Sequence, residues 1–377
     1  MRRALTSQRL SPLGCGHNLG AGTLHAATAA GGRRAAATLP SAPFPGYIRD
    51  EIFVTKCRSA GEEGRRSRLC LSGGPGDNRA AMEGLAMDGR VAILGTGRMG
   101  SAIAQRLAQA GAEISLWNRT PSRAAELAGR LGVGSAAGSP AEAVGGADLV
   151  ISSLTGPEAV RSAFGGPNGA VAGAHGQVFV EMSTAGPDVV RELEPALAAH
   201  GSALLDAPIM GPPTAVLRGE AAVLVGGPVA AVEMARPTLA HLGDVRHVGA
   251  AGNGARLKLV ANSMLGAVIL AAAELQSAGE ATGLDPEDVF WVSARLCPVL
   301  NARREGYLRG THTPTLFAVR DLVKDLGLAL TLFHQSGSTA PLIGLTRELI
   351  GEVGAVSPDL DISAVAGRYP RRGANLL

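Results

Sequence analysis

Short apolar stretches alternate with amphipathic ones from residue 89 to about residue 248. Gly89 to Leu94 and Glu113 to Trp117 have the length and apolar content of buried strands. Apolar residues recur at helical spacing between such stretches, as over Glu158 to Phe164 and Pro187 to His200. This alternation predicts an α/β fold built on a doubly wound, mostly parallel sheet. Four further strands are predicted at Asp148 to Leu154, Gln177 to Met182, Ala203 to Asp206 and Ala221 to Val225.

After Gly249 the pattern changes to helices only. A long helix is predicted from Gly254 to about Ala281, and its longest apolar run, Leu259 to Ala273, includes Asn262. A 15-residue run is short for a membrane span and is typical of a buried helix. The predicted organisation is an extension at 1–86, a sheet domain at 87–250, an all-helical substrate and oligomerisation domain at 251–367 joined by the long helix, and a tail at 368–377.

Residues 1–86 differ in composition from the rest of the chain. They hold 11 arginines and one lysine against six acids, although the 377-residue chain has a net charge of only +3. The absence of acids before Asp50 and the lack of apolar periodicity are typical of a disordered segment. Such a start fits an organelle transit peptide, or a start assigned upstream of Met82 or Met87. The bias toward arginine across the whole chain favours the second interpretation, so we expect a cytoplasmic protein.

Composition also limits the partners. Aromatic residues make up 3% of the chain and the net charge is small, which argues against nucleic-acid binding. The four cysteines show no disulfide or zinc spacing, and no metal is expected. No membrane partner is expected either. The long helix is apolar around most of its surface and needs several neighbours to cover it, so we expect a small-molecule substrate and a homodimer or homotetramer.

A glycine-rich motif follows the first predicted strand and precedes a helix. Gly95 permits a tight turn, Gly97 leaves space where a pyrophosphate approaches, and Gly100 lets the helix pack closely on the strand. The free amides at the start of the helix can hold phosphates. The motif therefore predicts a Rossmann dinucleotide-binding domain. The residues between the glycines, which would also line the phosphate site, are Thr96, Arg98 and Met99.

The end of the second predicted strand indicates which dinucleotide binds. An acid there would hold the ribose 2′-hydroxyl of NAD, whereas an arginine accommodates the 2′-phosphate of NADP. This chain has Asn118, followed by Arg119 and Thr120. Arg119 can form charge-assisted hydrogen bonds with a phosphate, and Thr120 can add a hydroxyl. The segment predicts that NADPH is preferred over NADH.

Only three of the 35 basic residues are lysines: Lys56, Lys258 and Lys324. Lys258 and Asn262 lie four residues apart, on one face of the long helix. Lys324 precedes Asp325 at the start of another apolar helix. A lysine within an apolar helix either extends to solvent or serves chemistry, and the residues alone favour neither interpretation.

Five motifs over about residues 90 to 365 resemble, in order, the β-hydroxyacid dehydrogenase family, typified by 3-hydroxyisobutyrate dehydrogenase and glyoxylate/succinic semialdehyde reductases. The resemblance implies a nicotinamide-dependent oxidoreductase whose helical domain is related to that of 6-phosphogluconate dehydrogenase but smaller. The motifs are Gly95 to Gly100 with Asn118 to Thr120, Ser183-Thr184, Asp206 to Gly211, Gly252 to Asn262, and Lys324 to Leu326.

The same resemblance implies roles for individual residues. Lys258 would be the general acid/base: as hydride passes between the nicotinamide and the substrate carbon, the lysine would exchange a proton with the substrate oxygen. Asn262 would help to hold the substrate, while Lys324, steadied by Asp325, would lie beside the cofactor or the substrate. The nicotinamide ribose would be flanked by Leu154, Thr155 and Thr184.

One segment departs from the family pattern. Where the family has Ser-Gly-Gly to hold the substrate carboxylate, this chain has Met210, Gly211 and Pro212. The serine donor is absent and Pro212 has no amide hydrogen, although Gly211 can still donate. Met210 and Gly211 remain the predicted substrate contacts.

This departure leaves three functions open. The main expectation is an NADP(H)-dependent oxidoreductase acting on a small β-hydroxyacid or aldehyde acid. The Met-x-Pro-Pro sequence is similar to imine reductases, so an NADPH-dependent imine or bulky-ketone reductase is the alternative. Imine reductases generally replace the family lysine, however, and Lys258 is present. A non-catalytic NADP-binding scaffold is the third possibility.

Overall fold

The computed structural model describes residues 89–132 and 134–369. The predicted N-terminal extension and residues 370–377 of the predicted tail lie outside this part of the chain. Within the described residues, nine strands and twelve α-helices form a sheet-containing domain that is followed by an all-helical one. The predicted fold class is confirmed.

Six parallel strands form the main sheet in the order β3-β2-β1-β4-β5-β6. The sheet is doubly wound, because the chain starts at its centre with β1 and builds first toward one edge and then toward the other. The switch point, where ligands bind in such sheets, lies between the carboxyl ends of β1 and β4. The strands are β1 (Arg90–Leu94), β2 (Glu113–Trp117), β3 (Ser135–Ala136), β4 (Leu149–Ser152), β5 (Val178–Glu181) and β6 (Ala203–Asp206).

Helices cover both faces of the main sheet, so the central strands are apolar on both sides. Alternate residues of β1 show this: Val91 and Ile93 pack into one core, while Ala92 and Leu94 pack into the other. The first core receives α1 (Arg98–Gln109), α2 (Pro121–Leu131), α6 (Pro213–Leu217) and α7 (Val229–Ala240). The second core receives α3 (Pro140–Val144), α4 (Pro157–Phe164) and α5 (Pro187–Ala198).

A second, three-stranded sheet corrects one expectation of the sequence pattern. The pattern predicts Ala221 to Val225 as a strand of the alternating, mostly parallel sheet, but this strand, β8, lies between β7 (Ile209–Met210) and β9 (Gly243–His247). It is antiparallel to β7 and parallel to β9. The chain reverses direction soon after β6, so β8 pairs with β7, and a single bridge between Asp206 and Gly226 joins it to the main sheet.

The helical domain packs around the long helix α8 (Asn253–Ala281). In the described part of the chain, α8 is the one helix long and apolar enough to cross a membrane, and half of its apolar window is buried inside the protein, as in the core helix of a folded domain. The other helices are α9 (Pro286–Leu296), α10 (Arg304–Arg309), α11 (Val319–Gln335) and α12 (Pro341–Val356), with 3₁₀ turns at Ala170–Gly173, Pro298–Arg303 and Ile362–Arg368.

Candidate active site

The glycine-rich loop follows β1 at the switch point of the main sheet. Gly95 has a φ of +104°, and a Cβ atom there would lie 2.3 Å from the carbonyl oxygen of Ser153. A Cβ on Gly100 would lie 1.9 Å from the carbonyl oxygen of Gly95. Only glycine fits at these two positions. A Cβ on Gly97 would meet nothing within 4 Å, so this position borders open space at the start of α1.

The residues at the start of α1 fit a bound diphosphate. The first turn of the helix carries no acidic side chain, and no side chain caps its amides. These N–H groups and the positive end of the helix dipole are available to an anion. The hydroxyl of Thr96 is buried without a hydrogen-bond partner, and a buried polar group of this kind is normally satisfied by a ligand or water. The loop can therefore hold a dinucleotide.

Two residues within the glycine motif are directed elsewhere. Arg98 donates from Nη1 to the carbonyl oxygen of Thr315 at 2.6 Å, and its Nη2 lies 3.5 Å from Oδ2 of Asp321. Met99 packs against the core of the sheet domain. Arg98 thus connects the glycine-rich loop to the helical domain.

The segment after β2 combines one structural and two exposed side chains. Asn118 accepts from the amide of Thr96 at 3.2 Å and donates from Nδ2 to the carbonyl oxygen of Thr120 at 3.0 Å. Arg119 and Thr120 are exposed. Among the described residues, the Arg119 side chain has no hydrogen bond or ion pair, so its guanidinium is available to a phosphate.

Lys258 lies half-buried near the start of α8. Its Nζ donates to the carbonyl oxygen of Ile209 at 2.6 Å. Burial lowers the pKa of Lys258 and the nearby Lys324 acts in the same direction, whereas Asp325 raises it. Ile209 immediately precedes the predicted substrate contacts Met210, which is 42% exposed, and Gly211. The lysine therefore reaches the segment predicted to hold the substrate.

Asp325 joins the other polar residues of the site. Its carboxylate accepts from Nδ2 of Asn262 at 2.6 Å and from Nζ of Lys324 at 2.5 Å. Nζ of Lys324 also donates to the carbonyl oxygen of Thr184 at 2.8 Å. Asp325 is 2% exposed, and burial raises its pKa against the opposing effect of Lys324. The predicted substrate and cofactor residues are thus brought together from both domains.

The loops after β4 and β5 form the neighbouring wall of the site. Leu154 contacts the glycine-rich loop, because its Cδ2 lies 2.9 Å from where a Cβ on Gly95 would be. The amide of Leu154 donates to Oγ of Ser183 at 2.8 Å. Thr155 is exposed and Thr184 is half-buried. All of these residues lie in the loops at the carboxyl ends of β4 and β5, on the side of the sheet where ligands bind in this fold.

Two buried acids at strand ends were not among the predicted site residues. Asp206 accepts from the amides of Gly252 and Ala255, both at 2.7 Å, and so fixes the start of α8; burial raises its pKa to about 6. Glu181 accepts from Ser183, and burial raises its pKa to about 7. The only feature of the sequence that could have pointed to either acid is its position at the end of an apolar strand. Neither acid belongs to a metal-binding cluster, and the described residues contain none.

Comparisons with known proteins identify the family. The model for the NAD binding domain of 6-phosphogluconate dehydrogenase matches residues 90–252, and the model for the NAD-binding domain of NADP-dependent 3-hydroxyisobutyrate dehydrogenase matches residues 252–369. The chain is 31% identical to 3-hydroxyisobutyrate dehydrogenase of Pseudomonas aeruginosa over 299 residues, which cover 74% of this chain and 98% of that protein. It belongs to the β-hydroxyacid dehydrogenase family.

Further relatives agree with this assignment. The chain is 31% identical to glyoxylate/succinic semialdehyde reductase 2 of Arabidopsis thaliana, over 69% of this chain and 73% of that protein. The structure of Mycobacterium tuberculosis 3-hydroxyisobutyrate dehydrogenase with L-serine matches with a TM-score of 0.63 at 28% identity, covering 75% of this chain and 99% of that one. An imine reductase from Myxococcus stipitatus, at 21% identity and a TM-score of 0.50, shares the fold. Family membership confirms a nicotinamide-dependent oxidoreductase.

Proposed function

We propose that this protein is an NADP(H)-dependent oxidoreductase that transfers hydride between the nicotinamide and a small β-hydroxyacid or aldehyde acid. The observation that carries the proposal is the convergence of Lys258, Asn262 and the Lys324–Asp325 ion pair at the carboxyl ends of the sheet strands. Relatives over most of the described chain are named for 3-hydroxyisobutyrate, a β-hydroxyacid, and for glyoxylate and succinic semialdehyde, which are aldehyde acids.

The site residues divide the chemistry between them. When bound, a nicotinamide would supply hydride to the carbonyl carbon, or take it from the carbon that bears the hydroxyl. In reduction, the ammonium of Lys258 donates a proton to the substrate oxygen as negative charge develops there; in oxidation, its neutral amine accepts the hydroxyl proton. The lowered pKa of Lys258 favours that neutral amine. Asn262, held by Asp325, orients the substrate.

A preference for NADPH belongs to the same proposal. Arg119 is exposed at the end of β2, and the preceding Asn118 carries no charge to repel a 2′-phosphate. A solved structure at 25% identity and a TM-score of 0.67 contains NADP+. These observations support Arg119 as the residue that binds the 2′-phosphate.

One observation favours a second candidate, an NADPH-dependent imine or bulky-ketone reductase. In the segment from Met210 to Pro212, the side chain of Met210 is exposed at the end of β7, and Pro212 has no amide hydrogen. Gly211 is then the one residue in this segment that can donate to a substrate carboxylate through its backbone. Lys258 argues for the hydroxyacid function, and its placement in the site argues against a non-catalytic scaffold.

A substrate panel separates these functions. Glyoxylate, succinic semialdehyde, simple ketones and cyclic imines are each tested with NADPH and with NADH, and kcat/KM is measured. We expect turnover of the aldehyde acids with NADPH preferred. Turnover of imines alone would establish the alternative, and tight NADPH binding without any turnover would establish the scaffold.

Arg119→Ala should lower kcat/KM with NADPH about tenfold or more, because it removes a charge-assisted hydrogen bond to the 2′-phosphate. The kcat/KM with NADH should stay unchanged.

We also propose that the protein forms a homodimer or homotetramer. The support is a row of exposed apolar side chains on α8, called the α8 stripe below. Its members follow at intervals of 3, 4 and 11 residues, which places them on one side of the helix. The α8 stripe consists of Leu257, Val260, Met264 and Leu275. A cytoplasmic location stays a prediction from the sequence.

A further inference from the structure

Glu181 is a buried carboxyl group surrounded by hydrogen-bond donors. It ends β5 and is 2% exposed. The hydroxyl of Ser152, at the end of β4, donates to one of its oxygens, and the amide of Ser183 donates to the other at 2.6 Å. The hydroxyl of Ser183 accepts from the amide of Leu154 at 2.8 Å, so the residue that holds Glu181 through its amide also holds the loop after β4. One side chain therefore holds the ends of two strands and the loops that follow them.

Both loops border the candidate cofactor site. Ser153 and Leu154 pack against Gly95 of the glycine-rich loop. The loop after β5 carries Thr184, whose carbonyl oxygen accepts from Nζ of Lys324. A shift of these loops would therefore move both the wall of the cofactor site and the carbonyl oxygen that accepts from Lys324.

The network is arranged for an ionised carboxylate. The Ser152 hydroxyl donates to one oxygen and the Ser183 amide donates to the other. Because an amide N–H can only donate, the oxygen that faces it is held best when the carboxyl group is ionised. The pKa of Glu181 is raised to about 7: burial is the main cause, the hydrogen bonds from the two serines oppose it, and the Asp206 carboxylate adds to it. Ser152 of β4 and Asp206 of β6 pair with Glu181 in the sheet, and of these only Asp206 titrates.

We propose that Glu181 is a positioning residue: its ionised carboxylate fixes the two loops that border the nicotinamide end of the cofactor site and thereby raises the affinity for NADP(H). It acts through Ser183 and Leu154, without touching the cofactor itself. This inference rests on the proposed use of NADP(H), and it concerns binding, so it can be tested without a substrate.

The test measures the Kd for NADPH by fluorescence titration of the full chain from about pH 5.5 to 8.5. For the wild type, we expect binding to weaken as the pH falls through the ionisation of Glu181. Glu181→Gln should bind NADPH about tenfold more weakly at high pH. It should also lose the step, which is the change in Kd that the ionisation of Glu181 causes. Ser152→Ala keeps the carboxyl group but removes one donor to its ionised form, so the step should move to higher pH.

Two controls isolate the effect. The 2′-phosphate of NADPH gains a proton near pH ~6, but this occurs with every variant and cancels in the comparison. Glu192→Gln removes an exposed carboxylate of α5 that pairs with Arg161, and should keep the wild-type profile. Thermal melting at high pH distinguishes positioning from folding: a Glu181→Gln protein that melts at the wild-type temperature and still binds NADPH more weakly has lost positioning and kept its fold.

The outcomes separate the inference from the proposed function. If the wild type binds no NADPH at any pH, the proposed function is wrong. If the wild type binds NADPH and Glu181→Gln shows the same affinities and the same pH profile, the positioning role is overturned while the function stands. If Glu181→Gln does not fold, the test rests on Ser152→Ala. A step in its NADPH binding at the same pH as in the wild type also overturns the proposal.

Discussion

Lys258 shows how the position of one residue sets its chemistry. Its Nζ is held by the carbonyl oxygen of Ile209, which accepts a hydrogen bond but supplies no full negative charge. Burial and the positive charge of Lys324 lower the pKa of Lys258, and Asp325 only opposes them. An amine in this environment can release and accept a proton closer to neutral pH than an ordinary lysine, as a general acid/base requires.

Replacement of Lys258 should abolish proton transfer and leave cofactor binding intact. We expect Lys258→Ala to lose roughly 10² to 10⁴ in kcat. Lys258→Arg should be similarly impaired, because arginine keeps the charge but does not deprotonate. In the oxidative direction, kcat/KM of the wild type should rise with pH through an ionisation below the ordinary lysine value, and this ionisation should disappear in both variants. Steady-state rates across pH and the Kd for NADPH test this prediction. Near-wild-type turnover by Lys258→Ala would show that Lys258 is not part of the mechanism.

Residue patterns predicted part of this site. The spacing of Lys258 and Asn262 placed both on one face of α8, and the resemblance implied the pairing of Lys324 with Asp325, which the structure contains. The partner of Lys258 could not be predicted, because a backbone carbonyl oxygen carries no residue-type signal. Glu181 was missed for another reason: its importance lies in contacts between neighbouring strands, and no local spacing reports them.

The start of α8 sets the direction of the helix that carries Lys258. Gly252, with a φ of +87°, turns the chain into the helix, and the carboxylate of Asp206 accepts from two amides of the first turn. Gly254 allows the helix to approach the sheets closely. A Cβ atom there would lie 2.4 Å from the carbonyl oxygen of Leu224 and 2.6 Å from that of Asp206. The close approach of helix and strands thus determines where Lys258 lies.

Gly254→Ala should therefore displace α8. Because the added methyl group meets backbone atoms that cannot rotate away, we expect a loss of about 1–3 kcal/mol in the free energy of unfolding and a reduced kcat. Gly351→Ala in α12 is the matched control, since a Cβ there meets nothing within 4 Å; it should be neutral or stabilising by up to about 1 kcal/mol. Urea denaturation and kcat of both variants test this, and equal stabilities would contradict the close contact.

The apolar pattern predicted some strands to the residue and others not at all. The bounds of β2, β6 and β8 agree with the pattern, and those of β1, β4 and β5 agree within two residues. β3 and β7 have two residues each, too few to show a period. β9 alternates between half-buried and exposed residues without an apolar run. The separate sheet formed by β7, β8 and β9 was therefore invisible to the pattern, although β8 itself was predicted.

On the scale of the whole molecule, the site depends on contacts between the two domains. Arg98 of the glycine-rich loop reaches Thr315, and Lys324 of α11 reaches Thr184 beside β5. The two domains were predicted from the change of pattern after Gly249, but these contacts were not. Both acceptors are backbone carbonyl oxygens, and long-range pairing of a side chain with the backbone leaves no trace in composition or spacing.

The α8 stripe carries the last prediction, which concerns assembly. Met264 is 66% exposed at its centre. Contiguous exposed apolar side chains are typical of a surface that binds another protein, and the proposed occupant is a second copy of the chain. We expect light scattering at micromolar concentration to show a dimer or tetramer. Met264→Glu should weaken assembly about 100-fold, because it buries an unpaired charge at a cost of about 3 kcal/mol.

A matched variant tests whether the position, and not the added charge, causes this effect. Val356, at the end of α12, is 84% exposed and lies outside the α8 stripe. Val356→Glu adds the same charge and should leave the molar mass of the assembly unchanged. A wild-type monomer would refute the proposed assembly, and an oligomer that Met264→Glu leaves intact would show that copies of the chain meet through another surface.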